Sequence, residues 1–245
     1  MIDCISVENM RRSDAYTIEN FVPSLELMYR AAYGVFECVD WHGRIAIIAG
    51  SGNNGGDGYA LACILKDYGY DCTVYFLGNR LTDDSLHYSQ IAREMGVKVR
   101  PFDLGSLSGW DIVVDCLLGT GFKGGVRADY RAAIEKINDS GAFVVSVDIN
   151  SGMNGDTGEA EIAVRSDLTV TIGYVKNGLI ANAAGKYIKR LICVDIGIIL
   201  AQKENSIYAS AEWKEFCMQH RIDTTNTTVC CDGRIHFCCP AWLEM

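Results

Sequence analysis

The sequence predicts an α/β protein, a three-layer α/β/α Rossmann-like fold around a mostly parallel central sheet. Three observations predict it. Strand-sized apolar runs alternate with segments of helical periodicity. The strand runs are nearly continuous in apolar residues, as expected where helices cover both faces of a parallel sheet. A glycine-rich turn, Ala49-Gly50-Ser51-Gly52-Asn53-Asn54-Gly55-Gly56-Asp57-Gly58, joins one such run to a helix. That arrangement brings main-chain N–H groups close to a bound anion at the positive end of the helix dipole.

The elements follow in order. Residues 7–18 form the first predicted helix, and Pro23-Ser24 opens a second over residues 25–34, with apolar positions three and four apart. Residues 44–48 are a buried strand, followed by the glycine turn and a helix over 59–66. A strand over 72–77 follows Gly69; next come a polar helix over 83–95, a short strand over 97–99 and the apolar run 112–118. Residues 127–137 are helical, and 143–147, 168–172 and 191–194 are strands. Beyond Gly197 the patterning weakens. The expected organisation is one domain over 1–200 and an appendage over 201–245 with a helix near 212–219.

Composition narrows the function. At 245 residues, 49% hydrophobic and 22% charged, the chain can build a sizeable core. Its net charge of −9 argues against a nucleic-acid backbone as partner, yet leaves room for a phosphorylated metabolite held by local N–H groups. The start Met-Ile-Asp-Cys-Ile lacks a basic segment followed by an apolar run. No apolar stretch approaches the ~20 residues that span a bilayer. A soluble, cytoplasmic protein without a membrane partner is expected. Of eleven cysteines, Cys4, Cys38, Cys63, Cys72, Cys116 and Cys193 sit singly in core-like elements, which predicts buried thiols. Cys230-Cys231 and Cys238-Cys239 flank His236, a spacing that matches no familiar tetrahedral zinc pattern, so free tail thiols are expected.

In a parallel sheet the ligand sits outside the carboxyl ends of the strands. The loops after Ile48, Val114, Val147 and Ile172 are therefore expected to form one site. Gly50, Gly52 and Gly55 satisfy a dinucleotide fingerprint. The ribose-binding acid should end the second strand, whereas Asp71 starts it, which disfavours a hydride-transferring dehydrogenase. Asn53, Asn54 and Asp57 suggest that this turn also handles a cation, a sugar or a helix cap. In the second loop, Asp115 precedes Gly119-Thr120-Gly121-Phe122-Lys123-Gly124-Gly125, where glycines admit an anion, Thr120 offers a hydroxyl and Lys123 a point charge. Asp115 itself is a ligand or a loop cap. In the third, Asp148 is the candidate general acid or base, as the lone carboxylate on an apolar strand entering the cleft. Ser151 lacks a histidine partner and reads as an oxygen ligand or cap. Lys176 follows the fourth strand, where it either faces phosphates or lies solvated on the surface. Asn54, Asp115 and Ser151 together offer hard oxygens with one negative charge, which suits a monovalent cation better than magnesium or calcium.

Together these motifs resemble the NAD(P)H-hydrate epimerase family, also called the YjeF N-terminal domain. The resemblance rests on Gly52-Asn53-Asn54-Gly55-Gly56-Asp57-Gly58, on Asp115 with Gly119-Thr120-Gly121, on Val147-Asp148-Ile149-Asn150-Ser151-Gly152 and on Lys176-Asn177-Gly178. Met10-Arg11, Asp14, Ile18 and Pro23-Ser24-Leu25 are also similar, so that residues 8–198 are covered. It implies an isomerase that interconverts the R and S forms of hydrated NADH and NADPH, acting with a separate ATP- or ADP-dependent dehydratase and forming a homodimer. It implies potassium held by Asn54, Asp115 and Ser151, and substrate held by Asn53–Asp57, Gly119–Gly125 and Asp148. Two positions depart from the family pattern. Asn150 stands where proline is usual and is expected to alter the turn presenting Ser151. Tyr29 replaces an acid or amide and is expected to alter the substrate-facing surface of the second helix. Residues 219–226 faintly resemble the start of a dehydratase domain, but its glycine-rich ATP site is missing, so dehydratase activity is not expected. The alternative implied by the same fold is a non-catalytic nucleotide-binding or dimerisation module, as in scaffold proteins of mRNA decapping.

Overall fold

The computed structural model describes residues 2–103, 107–207 and 235–238. In chain order the elements are β1 (Ile2–Ile5), α1 (Val7–Asn20), α2 (Ser24–Glu37), β2 (Ile45–Ala49), α3 (Asn53–Asp67), β3 (Cys72–Phe76), α4 (Asp83–Glu94), β4 (Lys98–Pro101), β5 (Ile112–Cys116), α5 (Ala128–Asn138), β6 (Phe143–Val147), β7 (Leu168–Ile172), β8 (Val175–Lys176), β9 (Leu191–Val194), β10 (Asn205–Ile207) and β11 (Ile235–Cys238). The main sheet runs β11-β9-β7-β6-β5-β2-β3-β4, and every pairing in it is parallel. This is the expected α/β/α architecture.

Strand alternation divides the core into two layers. Ile45, Ile47 and Ala49 of β2 face α2, α3 and α4. Ala46 and Ile48 face the other way, onto Tyr130, Ala133, Ile134 and Ile137 of α5. A period of two on β2 thus feeds both layers, and both faces must be apolar, which is why the strand reads as an unbroken apolar run. Helix α3 is apolar nearly all round because α2, α4 and the sheet enclose it, with Leu61 and Leu65 fully buried. Helix starts are set locally. Ser6 accepts a hydrogen bond from the Asn9 N–H and caps α1, while Thr82 accepts from the Ser85 N–H, with Asp83 and Asp84 filling the first turn of α4.

Sheet order places the ligand end. From β2 the chain moves outward through β3 and β4, then returns to the opposite flank of β2 as β5. The crevice between the loops after β2 and β5 is therefore a topological switch point, where open parallel sheets bind ligands.

Some elements differ from expectation. The α3 helix starts at Asn53, six residues earlier than the apolar pattern indicates, so the amides belong to its first turn. Strands β1, β8, β10 and β11 carry no readable periodicity because they are two to four residues long. They matter nonetheless: β1 pairs parallel with β8 and antiparallel with β10, making a second sheet of three strands. Parts of the expected appendage thereby join the sheets, β10 beside β1 and β11 beside β9. The expected helix near 212–219 and the side chains of the tail cysteines and His236 lie outside the described residues. Among the described residues no helix is long and apolar enough to cross a membrane.

Candidate active site

A cavity of about 790 Å³ opens at the switch point, lined from α1, α2, the start of α3 and the ends of β5, β6, β7 and β8. Of the residues singled out in sequence, Asn53, Asn54, Asp57, Gly119, Thr120, Gly121, Phe122, Lys123, Gly125 and Asp148 line it. Gly55 and Gly56 do not. They lie buried in the first turn of α3, where a Cβ on Gly55 would overlap the Gly50 carbonyl and one on Gly56 would meet Met28. Their role is close packing of helix against loop. Gly124 lines a neighbouring hollow instead, with Lys186 and Tyr187.

The start of α3 points at the cavity. Gly52 is its N-cap and provides no side-chain hydrogen bond. The N–H groups of Gly55 and Gly56 bond to the Gly52 carbonyl at 3.0 and 3.3 Å. Those of Asn53 and Asn54 precede any intrahelical partner and are directed at the ligand end, with the helix dipole behind them. Asn54 is buried, yet neither its Oδ1 nor its Nδ2 has a hydrogen-bond partner. A buried amide with both ends unsatisfied is costly and is kept where a ligand completes it.

Asp148 sits at the centre. Its φ of 69° is the only left-handed value at a non-glycine position among the described residues, a conformation that aspartate tolerates better than most. The turn aims the carboxylate between two loops. Oδ1 accepts from the Lys176 Nζ at 2.5 Å, and Oδ2 accepts from the Thr120 N–H at 3.2 Å. Lys176 is 1% exposed and also donates to Thr171 Oγ1 and the Ile172 carbonyl. The alternative of a solvated surface lysine is corrected: β8, held by β1 through the Ile5–Lys176 register, buries the side chain against Asp148 in the cavity wall.

Beneath the loops, Asp115 and Ser151 are fully buried and outside the cavity wall. Asp115 accepts from the Ser151 hydroxyl at 2.5 Å, the Ser151 N–H at 2.9 Å, the Ser146 hydroxyl at 3.0 Å and the Leu117 N–H at 3.2 Å. Burial pushes its carboxyl up from the ordinary range, and these donors oppose the rise. Ser151 Oγ in turn accepts from the Leu118 N–H at 2.8 Å. The loops after β5 and β6 are thus tied into one unit.

The two departures have structural outcomes. Asn150 is fully buried; its Nδ2 donates to the carbonyls of Val164 and Tyr187 and to Ser166 Oγ, and its Oδ1 accepts from Thr169 Oγ1 at 2.6 Å. A side-chain network therefore fixes the turn that presents Ser151. Tyr29 faces outward and stacks on Tyr33, with centroids 6.2 Å apart. The expectation that it reshapes the substrate-facing surface is corrected, because Leu27, Met28 and Ala31 form the cavity side of α2.

Several site residues were missed as actors. Arg11 and Asp14 of α1 line the cavity, and Arg11 donates to the Thr120 carbonyl at 2.6 Å. Burial raises the Asp14 carboxyl, with Asp148 adding to the rise and Lys176 opposing it. Asp57 is raised well above the ordinary range, by burial first and then by Asp148 and Asp14. The sequence signals for α1 are its helical face and the family-like Met10-Arg11, Asp14 and Ile18, which carry no role on their own. Cys4, Cys63, Cys72, Cys116 and Cys193 are buried free thiols as expected, whereas Cys38 is half-buried. Cys63, Cys72 and Cys193 are pushed up to about 12 by burial, which makes them poor nucleophiles.

Known proteins are similar to this chain in sequence and in fold. The NAD(P)H-hydrate epimerase of Limosilactobacillus fermentum is 36% identical over 199 residues, which cover 78% of this chain and 95% of that protein. A Limosilactobacillus reuteri protein of the same name is 39% identical, covering 77% of this chain and 92% of its own. The bifunctional NAD(P)H-hydrate repair enzyme of Archaeoglobus fulgidus is 41% identical over 62% of this chain, which spans 33% of that longer protein. In three dimensions, a yeast protein of known crystal structure aligns with a TM-score of 0.69 at 20% identity, covering 85% of this chain and 98% of the other, and so shares the fold. The family described as YjeF-related protein N-terminus matches residues 24–178, the stretch that builds the switch-point cavity, and the chain belongs to that family.

Proposed function

We propose that this protein is an NAD(P)H-hydrate epimerase, an isomerase interconverting the R and S forms of hydrated NADH and NADPH. The observation that carries the reading is the buried Asp148–Lys176 pair in the wall of a cavity that is also lined by an uncapped helix start. Relatives 36% and 39% identical over most of their length bear that name. In the hydrate, C6 carries a hydroxyl and is bonded to ring N1, so it is a hemiaminal carbon. Once an acid protonates the hydroxyl, nitrogen's lone pair can expel it as water, leaving an iminium cation to which water returns on either face with loss of a proton. The ionised Asp148 stabilises the developing positive charge, and Lys176 keeps it ionised and oriented. The N–H groups at the start of α3 and the Gly119–Gly125 loop suit the dinucleotide's phosphates.

The residues also fit a potassium ion. Asn54 Oδ1 is buried without a partner, and Asp115 and Ser151 add hard oxygens from the adjoining loops. Asn54, Asp115 and Ser151 would hold it. When bound it supplies fixed positive charge that offsets the Asp115 carboxylate and braces the loops around the substrate. The same reading assigns the functional unit to residues 1–200 and takes 201–245 as an appendage that lends β10 and β11 to the sheets, and a separate ATP- or ADP-dependent dehydratase would consume the S hydrate. A homodimer through α1 and α2 is supported by the exposure of Tyr16 and Tyr29 on those helices and of Phe21 just past α1, and a cytoplasmic location belongs to the same proposal.

The test starts from the pure R hydrate of NADH and couples formation of the S hydrate to an added dehydratase. Wild-type protein accelerates the conversion over the spontaneous rate. Asp148→Asn, which keeps shape and tolerates the left-handed turn, loses the acceleration while still binding nucleotide. Binding without acceleration by the wild type would leave the non-catalytic module as the correct reading.

A further inference from the structure

The cavity is lined by four carboxylates, Asp14, Asp57, Asp84 and Asp148, and the charge of Lys176 reaches Asp14, Asp57 and Asp148. Lys176 is committed: its ammonium is bonded to Asp148 Oδ1, Thr171 Oγ1 and the Ile172 carbonyl. Asp148 is committed as well, because its second oxygen accepts from the Thr120 N–H. A carboxylate that accepts hydrogen bonds at both oxygens, one from an ammonium, is held in its ionised form and is badly placed to carry a proton. Asp57 stands in the opposite situation. It projects into the same cavity from α3, and among the described residues no arginine or lysine forms an ion pair with it.

We propose that Asp57 is the proton donor and acceptor at the hydrate's hydroxyl group, while Asp148 remains the ionised partner of Lys176 throughout. The proposal rests on the epimerase reading and divides its acid–base work between two residues. In the forward step the Asp57 carboxylic acid gives its proton to the C6 hydroxyl oxygen. The C6–O bond breaks, its electron pair leaves with water, and the N1 lone pair forms the C6–N1 double bond. In the return step water attacks C6 from the other face and the π pair goes back to N1. The proton shed by that water returns to the Asp57 carboxylate. Nothing is oxidised or reduced, and no co-reactant is consumed.

The groups facing Asp57 explain why it can hold a proton. From α1 comes Asp14, from the end of β6 Asp148, and from α4 Asp84, all of which favour the neutral form, as does burial. Lys176 of β8 opposes them, and so does the start of α3 itself. One carboxyl without an ion-pair partner beside another bonded to an ammonium is the arrangement in which the first acts as acid and the second as fixed charge.

The experiment measures kcat/KM for the R hydrate of NADH against pH in wild type, Asp57→Asn and Asp14→Asn, with hydrate affinity measured in parallel. Wild-type kcat/KM falls on an alkaline limb as Asp57 loses its proton. Asp57→Asn lowers the rate by ~10²–10⁴-fold and abolishes the limb, while affinity stays within a few-fold of wild type. Asp14→Asn keeps the limb but moves it to lower pH, because one negative charge facing Asp57 is gone. An Asp57→Asn protein with a near-wild-type rate and the same limb overturns the proposal and leaves the epimerase reading standing. A limb unmoved in Asp14→Asn also counts against it, independently of how Asp57→Asn folds. Wild-type protein without acceleration sinks the epimerase reading first, and this proposal with it.

Discussion

The ammonium of Lys176 lies 2.5 Å from Oδ1 of Asp148, and the pair is almost wholly enclosed, with side-chain exposures of 1% and 12%. Two short segments far apart in sequence make it: the turn after β6 and the two-residue strand β8. Breaking such a pair from one side leaves an uncompensated charge. Lys176→Met should therefore cost about 3–5 kcal/mol of stability, measured by urea denaturation. The double variant Lys176→Met with Asp148→Asn should recover part of that loss and none of the activity. A single variant as stable as wild type would show that the enclosed pair contributes nothing to folding.

Asn150 offers a purely structural prediction. Replacing it with alanine removes the donor to two carbonyls and a serine hydroxyl and the acceptor for Thr169. Buried groups left unpaired cost about 1–3 kcal/mol, so Asn150→Ala should lose roughly 2–4 kcal/mol by chemical denaturation. Because the same turn carries Asp148 and Ser151, residual activity should fall further than stability alone accounts for.

Two glycines should separate packing from catalysis. A Cβ on Gly50 would overlap the Leu117 backbone carbonyl, which cannot yield. Gly50→Ala should destabilise by about 1–3 kcal/mol. A Cβ on Gly119 would instead stand 3.1 Å from Asp148 Oδ2 and 3.2 Å from Asn54 Cβ, side chains that can shift slightly. Gly119→Ala should melt within a few degrees of wild type and lose most of its turnover, as thermal and kinetic assays on the same preparation would reveal.

Potassium should stabilise the folded protein. A ligand that binds only the native state raises stability by RT ln(1 + [L]/Kd), so the melting temperature should climb with potassium chloride at constant ionic strength set by choline chloride. Asn54→Ala should flatten that climb. An equal response in the variant would assign the effect to general ionic strength.

The raised Asp57 carboxyl has a consequence for stability. Its folded-state value lies above the ordinary 3.8, so the native chain binds this proton more tightly than the unfolded chain does. The group's favourable contribution is complete below about pH 4 and is lost as pH rises through the raised folded value. Asp57→Asn removes that titration. Calorimetric melting temperatures of the variant, relative to wild type, should therefore increase from about pH 4 upward, at the expense of activity. A constant difference across the range would contradict the shift.

Much of this protein was written locally in its sequence. The unbroken apolar run at 45–49 and the largely apolar runs at 112–116, 143–147 and 168–172 read as strands covered on both faces. Parallel strands carry their ligand loops at one end, so Asn54, Asp115, Asp148 and Ser151 were legible as neighbours before any coordinate was known. Tertiary structure decided what those neighbours do. Lys176 belongs to a strand too short for periodicity, and its burial depends on β1 arriving from the other end of the chain. Asp14 enters the site only because α1 lays its Ser13 and Thr17 side against residues 199–201 and turns the opposite side to the cavity. Charge states are the deepest case. Asp57 lies near the N-terminal end of α3 and Asp148 just past the C-terminal end of β6, and only the three-dimensional placement of one lysine and one backbone N–H binds the second in an ion pair, while burial and neighbouring carboxylates raise the first.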